Sequence, residues 1–472
     1  MTSYVAGLDL GSTSIKLLIA TREGEQVLVV SERSPWTNLD GGRAEMAAEK
    51  AIGTVRALAA RADAALRERG DYTVHAIGVS GMAEAGVLLD ADGVPSAPIM
   101  AWFDPRGAEQ ILATPANFRA EFPGRTGLPV GPLASISKLL YLRESGISLA
   151  GKTFLNVPEF IVSALGGSRV AENSLVSRTG MIDQDDSTPW PAALDVVGVQ
   201  ADILAPRVAA GSPAGTVSDE RMPSAFQDAV LTVAGHDHVV SAVVAGATSS
   251  GQIYDSMGTA EALVRVLDEV LPFAARERLA LAGINTVRHV LPGKYLLLAG
   301  TKSGLLMRRV LQLLGISDES GRAVLDAQVM ELPVEGRLVA GGLTINGAQN
   351  HDGVLKIVGM SDNLSPAELF TAALRHGNDV CQELLETMNR EVSAPTSTLL
   401  TGGWAQMDSV VRARRTVLPS ITVSSHDEST AYGAALFAAY ALHAGSADTF
   451  EDVAQAFLRG HQDLAHNNEE RS

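Results

Sequence analysis

A single cysteine, Cys381, stands in 472 residues. One thiol closes no internal disulfide and builds no Cys-based zinc site, so cysteine usage gives no sign of an oxidising compartment. Basic residues are also short: 37 Lys and Arg against 54 Asp and Glu leave a net charge of −17. Phosphate backbones and anionic membranes both require a basic footprint, so neither nucleic acid nor membrane is an expected partner. Long apolar runs are missing too. The stretch Val239 to Ala247 is far too short to span a bilayer. Met1-Thr2-Ser3-Tyr4-Val5 has no basic stretch leading into an apolar run, so no signal peptide is expected. The expectation is a cytoplasmic protein whose acidity serves solubility.

What remains is globular. Hydrophobic residues make up 46% and charged residues 19% of the chain. The length predicts two large domains. The 45 glycines are spread along the sequence and predict several tight backbone loops.

The first strand is Val5-Ala6-Gly7-Leu8-Asp9-Leu10, and Ile15 to Ala20 returns after Gly11-Ser12-Thr13-Ser14, as in a hairpin. A third strand follows near Gln26 to Glu32. A helix is predicted from about Met46 to Arg69, with an apolar stripe at Ala47, Val55, Leu58 and Leu66. The middle, from about Ala108 to Pro206, reads as mostly helical. A strand near Ala229 to Ala234 then runs into Gly235-His236-Asp237-His238 and a helix. From Gln252 the opening pattern returns: a strand carrying Asp255, a Gly258-Thr259 turn, and a second strand through Leu263-Val264-Arg265. This echo predicts two related α/β halves. The expected division is 1–245, 246–445, and a C-terminal helix and tail over 446–472.

Several segments suit chemistry. The turn Gly11-Ser12-Thr13 lacks bulk, so backbone N–H groups can approach phosphate oxygens, with Lys16 adding charge. Asp9, at the strand end, suits Mg²⁺ directly or through water. It is no Walker loop, and an ordinary hairpin turn fits the same residues. Gly258-Thr259 is its counterpart, so two loops can grip a polyphosphate from both sides. Gly402 and Gly403 follow a strand and leave their backbone open to a flat ring such as adenine; Gly300 and Gly304 offer an opposite wall. Asp237, at a helix start, is read either as a cap or as a base taking a proton from a hydroxyl. His236 and His238 have no third ligand nearby, so metal binding by them is disfavoured. Met82 and Glu84 follow one strand, and Trp102 with Asp104 and Arg106 follows another. Carboxylates and a guanidinium beside aromatic rings suit a polyol, although an Asp104–Arg106 surface pair fits equally.

In this order the segments resemble the FGGY family of carbohydrate kinases. The likeness rests on Asp9 to Thr13 with Lys16, Ile77-Gly78-Val79-Ser80-Gly81, Trp102 to Arg106, Gly235-His236-Asp237, Gly258-Thr259, Gly402-Gly403 and Tyr432-Gly433-Ala434-Ala435-Leu436. It covers about residues 4 to 445. The resemblance implies two RNase H-like α/β domains, as in actin and hexokinase, around a central cleft. ATP would lie mainly against the C-terminal half and the sugar mainly in the N-terminal half. It makes Asp237 the base, sets Asp9 and Asp237 near Mg²⁺, brings Thr13 and Thr259 to the phosphates, and lines the nucleotide with Gly300, Gly304 and Gly403. The implied substrate is a ketose, polyol or sugar acid; a homodimer is left open.

Departures bear on the substrate. Met82-Ala83-Glu84 stands where xylulose kinases of the family show Gln-Met-His. Glu84 resembles the Glu of glycerol kinases and of the autoinducer-2 kinase, but Ala83 replaces the Arg usual beside it. Gly-His-Asp resembles fuculose kinase. Arg375-His376-Gly377 lacks the acidic residue expected before the Gly. Two other classes remain on the sequence alone: an actin- or Hsp70-like ATP clamp, and a catalytically silent sugar-binding regulator.

Overall fold

The computed structural model describes residues 2–333, 343–349, 354–359, 364–424 and 428–469, with side chains described as far as residue 460. The first half opens with β1 (Thr2–Leu10), β2 (Ser14–Thr21) and β3 (Gln26–Arg33), an antiparallel meander. Helix α1 (Ala48–Arg67) crosses over to β4 (Tyr72–Gly81), which lies parallel to β1. The helical middle includes α2 (Ala116–Thr126). The chain then returns through β5 (Pro213–Thr216) and β6 (Val230–His236) into α3 (Asp237–Val244). The sheet order is β5-β6-β4-β1-β2-β3, with β6 parallel to β4. Helix α1 begins after Met46, which belongs to a short strand. Its buried stripe includes Val55, Leu58 and Leu66, as the 3.6-residue spacing required.

The second half repeats the plan. It has β7 (Gln252–Met257), β8 (Glu261–Leu267), α4 (Phe273–Leu281), β9 (Asn285–Arg288), β10 (Tyr295–Thr301) and α5 (Ser303–Leu313). Helix α6 (Pro366–Asn389), β11 (Ser397–Thr401) and β12 (Ile421–Val423) complete it. Ser365 starts α6 with a capping box: its side chain accepts from the Glu368 N–H, and the Glu368 carboxylate accepts from the Ser365 N–H. The sheet order is β9-β10-β8-β7-β11-β12. Both sheets therefore contain three antiparallel strands followed by two parallel ones, β3-β2-β1-β4-β6 and β10-β8-β7-β11-β12. That shared order is the RNase H-like plan, and it turns a short sequence echo into a repeated topology.

The end of the chain departs from the expected division. Helix α7 (Ser429–Ala441) falls in the expected 246–445 unit, yet it packs on β1, β4, β6 and α3 of the first half. Its close approach has a residue-level cause. Gly7 and Gly78 are register partners on β1 and β4. A Cβ on Gly7 would collide with the Ala431 carbonyl, and one on Gly78 with the Ala434 carbonyl. Two glycines side by side open a groove for an alanine-rich helix, which sits closer than bulkier side chains allow. Helix α8 (Phe450–Glu469) follows and packs on α7, with Phe457 buried against Tyr432. Of the expected tail, residues 470–472 lie outside the described residues. No described helix is long and apolar enough to cross a membrane.

Candidate active site

Between the two sheets lies a cleft of about 430 Å³. Its floor comes from strand ends of both halves. Gly11, Ser12 and Thr13 face it from the first hairpin, and Ser256, Gly258 and Thr259 from the second. The first turn is held from behind. Ser34 Oγ donates to the Gly11 carbonyl at 2.6 Å, Trp36 Nε1 donates to the Ser12 carbonyl at 2.9 Å, and the Ser34 N–H donates to the Thr13 carbonyl at 3.0 Å. With its carbonyls so engaged, the turn keeps its N–H and hydroxyl donors for the cleft.

Two carboxylates meet there. Asp9 is the penultimate residue of β1, and its Oδ1 is buried with no hydrogen-bond partner. Burial pushes the Asp9 carboxyl up to about 8; Asp237 and Glu428 add to the rise and Lys16 opposes it. Asp237 begins α3, and its Oδ1 accepts from the His238 N–H at 2.7 Å. Burial works against its charge, but His238, His236 and Arg178 together hold its carboxyl below the usual carboxylate range. The pair is thus split: the Asp237 carboxyl is held down and the Asp9 carboxyl is pushed up. The residues fit Mg²⁺ on that ground, since Asp9 offers an orphaned buried oxygen beside an ionised carboxylate. Among the described residues no cluster of three or more His, Cys, Asp or Glu forms a ready metal cage. Mg²⁺ needs none, because it is commonly bound through one or two carboxylates plus phosphate oxygens and water.

The segment carrying Asp237 is held by a buried relay. The His236 N–H donates to Ser174 Oγ at 3.0 Å, Ser174 Oγ donates to Glu172 Oε2 at 2.5 Å, and Ser80 Oγ donates to the Gly235 carbonyl at 2.9 Å. Gly235 has φ +107°, and a Cβ there would press on Val290, Ser174 and Glu172. Only glycine suits that left-handed position. The His236 ring is buried, pushed down to about 3 by that burial, and therefore neutral.

Along one wall, Met82, Glu84, Trp102, Leu133, Arg178 and Asn285 line the cleft. Glu84 has φ +63°, a strained setting for a residue with a Cβ, and this is how its carboxylate reaches the cleft wall. It pairs with Arg178, whose Nε donates to Glu84 Oε1 at 2.5 Å and whose Nη2 meets the same oxygen. An adjoining depression of about 670 Å³ shares Gly258 and Thr259 with the cleft. Gly403, Trp404, Arg308 and Arg322 also border it.

The model of the FGGY family of carbohydrate kinases, N-terminal domain, matches residues 4–244. The chain belongs to the FGGY family of carbohydrate kinases. Curated FGGY-type relatives include the gluconokinase of Bacillus subtilis, 25% identical over 279 residues, covering 57% of this chain and 53% of that protein. The xylulose kinase of Bacillus subtilis is 24% identical over 271 residues, covering 56% and 54%. The chain thus spans about half the length of the curated relatives it matches. Solved structures align across almost everything. Gluconate kinase from Lactobacillus acidophilus superposes with TM-score 0.83 at 19% identity, covering 97% of this chain and 92% of that one. Plasmodium falciparum glycerol kinase with ADP gives 0.82 at 17% identity, covering 97% and 92%. At such identities the likeness concerns the fold: two actin/hexokinase-type domains.

Within this FGGY chain several expected site residues take other places. Asp104 and Arg106 are not among the residues lining the cleft. Asp104 is fully buried and binds Arg106 at 2.7 Å and the Ala44 N–H at 2.9 Å, while Arg106 also reaches Glu45 at 3.0 Å. Lys138, buried beneath them, donates to the Asp104 and Arg106 carbonyls. Their charges are spent on holding the loop that presents Trp102, which is the cleft residue of that segment. Lys16 is likewise absent from the lining and pairs with Glu428. Gly300 lines the cleft, but Gly304 sits behind it: a Cβ there would collide with the Gly258 carbonyl and approach Trp404 Nε1 to 2.9 Å. Gly402, φ +94°, lies against the Met257 backbone, so of the two adjacent glycines Gly403 is the one facing open space. Arg178, Ser256 and Asn285 also line the cleft, and no motif marks them.

Proposed function

We propose that the chain transfers the γ-phosphoryl group of ATP to a hydroxyl of a small carbohydrate. The carrying observation is Asp237: an ionised carboxylate at a helix start, opposite two glycine-hydroxyl loops. Asp237 accepts the hydroxyl proton as the new O–P bond forms and the bond to ADP breaks, a role that contributes about 10²–10⁴ in rate. Asp9 and Asp237 would hold Mg²⁺, which when bound supplies charge neutralisation at the phosphates. The N–H and hydroxyl donors of Ser12, Thr13 and Thr259 offset charge on the phosphoryl oxygens. The depression bordered by Gly403 and Trp404 takes the adenosine end, and the wall of Trp102, Glu84 and Arg178 takes the carbohydrate. Closing the two halves excludes water as a competing acceptor.

The kinase names of the curated relatives support this reading, and nothing in the site favours a silent regulator, since Asp9 and Asp237 are both kept. The test is an ADP-release screen over ketoses, polyols and aldonates, repeated with Asp237→Asn. Turnover should fall by about 10² or more. Turnover near wild type would remove Asp237 from the base role.

A further inference from the structure

The feature that distinguishes this cleft is a guanidinium with one end left over. Arg178 is buried, 6% exposed, and Glu84 beside it is 7% exposed. Nε and Nη2 of Arg178 both serve Glu84 Oε1, and Nη1 is buried with no partner. A buried cationic N–H without an acceptor is costly unless a ligand supplies one. Both residues line the cleft together with Asp237, on the wall assigned to the carbohydrate.

We infer that the Glu84–Arg178 doublet sets the substrate class, reading an uncharged hydroxyl, so that the chain takes neutral polyols and ketoses in preference to sugar acids. This rests on the kinase reading and narrows it. A hydroxyl is both donor and acceptor. The doublet presents the complement: a carboxylate to receive the O–H, and Arg178 Nη1 to donate to the oxygen. A carboxylate substrate has only acceptors, so it could use the one N–H of Arg178 and would have no proton to offer the Glu84 oxygens.

The charge inventory points the same way. Asp237, Glu84 and Glu261 line the cleft as acids beside the buried Asp9 carboxyl, and Arg178 is the lining Lys or Arg. Glu261 is already matched by Arg414 outside the lining, and Lys16 by Glu428. Arg178 is itself matched by Glu84, so no unmatched Lys or Arg is left among the lining residues to attract an anion. The neighbouring His236 ring is neutral. Placing a like charge against such a wall costs several kcal/mol.

The experiment measures ADP release with MgATP for pairs matched in carbon number: xylitol and xylulose against xylonate, sorbitol against gluconate. The proposal expects kcat/KM at least about tenfold higher for the neutral members. Arg178→Lys, which keeps the charge but loses the fork, should raise the carbohydrate KM about tenfold or more while leaving the ATP KM unchanged. Glu84→Gln frees the guanidinium and should shift the ratio toward the aldonates. Aldonates used as well as polyols by the wild type, or a carbohydrate KM untouched in Arg178→Lys at unchanged melting temperature, overturns the inference but not the kinase reading. If no carbohydrate releases ADP, the kinase reading fails. Titration calorimetry with the same pairs then decides the inference: heat from polyols that is lost in Arg178→Lys supports it, whereas heat from aldonates, or from neither, overturns it.

Discussion

The two hairpins have the same topology and opposite uses for their aspartates. Asp9 lies two residues before Gly11, and Asp255 lies three before Gly258. Side chains alternate faces along a strand, so this single-residue offset sends them opposite ways. Asp9 reaches the cleft with an unpartnered oxygen. Asp255 points behind the sheet, fully buried, 3.5 Å from Arg414 Nε. Ser256, two residues before Gly258, takes the cleft position in the second half. Burial and the neighbouring Glu261 push the Asp255 carboxyl well up, while Arg414, bound to Glu261, pulls it back. A repeated fold thus carries one carboxylate that faces the cleft and one that is held behind the sheet, and strand parity decides which is which.

The strongest way to break this comparison is to neutralise both aspartates. Asp9→Asn should lower ADP release on the order of 10² or more, with a raised Mg²⁺ requirement, and keep or raise the melting temperature. Asp255→Asn should leave turnover within about twofold, since it faces away from the cleft. Equal losses from the two would end the distinction.

Arg414→Met tests the structural half. It strands Glu261 and Asp255 as buried acids, and breaking such a cluster costs about 3–5 kcal/mol. The denaturant midpoint should fall accordingly; an unchanged midpoint would mean the cluster is not structural.

Gly304→Ala should cost about 1–3 kcal/mol by pressing on the Gly258 carbonyl, and should raise the KM for ATP more than that for the carbohydrate. A purely carbohydrate-side effect would misplace the nucleotide.

The mildest effect concerns buried acids with no cation. Burial pushes Glu159 up to about 8 and Glu172 up to about 7, and neither forms an ion pair among the described residues. The folded chain keeps these protons at pH values where the unfolded chain has lost them. Stability is therefore highest near the ordinary carboxylate range and falls as pH rises through 7 to 8, by at most about 1.4 kcal/mol per unit per group. Melting temperatures between pH 5.5 and 8.5 should decline, and Glu172→Gln should flatten the decline. A slope unaffected by that variant would locate the protons elsewhere.

Much of the site was legible because it is local. Asp9 with its turn, Gly258-Thr259 and Gly235-His236-Asp237 are contiguous strings whose chemistry follows from a strand end and the absence of a Cβ. What escaped depends on distance. Arg178 meets Glu84 across 94 residues, and Lys16 meets Glu428 across 412, so no spacing rule reaches either pair. Asp104 and Arg106 misled for the opposite reason: two residues apart, they satisfy one another and need no ligand. The fold was legible as a repeat, but the return of α7 was not, since it depends on Gly7 and Gly78 being register partners on neighbouring strands.

That return has a mechanical consequence. The chain leaves the first half through α3 and comes back through α7, and these two helices pack together, with Gly433 close to Val240. The second half is therefore inserted between two adjoining ends, attached by a pair of crossings. Tyr254, just past the outgoing one, bonds to Ser241 Oγ at 2.6 Å on one side and to Thr401 Oγ1 at 2.9 Å on the other. Two tethers side by side resist twisting and sliding but allow bending, like the two knuckles of a door hinge. A bend about that line would open or shut the gap between Ser12-Thr13 and Gly258-Thr259, so the two tethers would act as the pivot of the cleft.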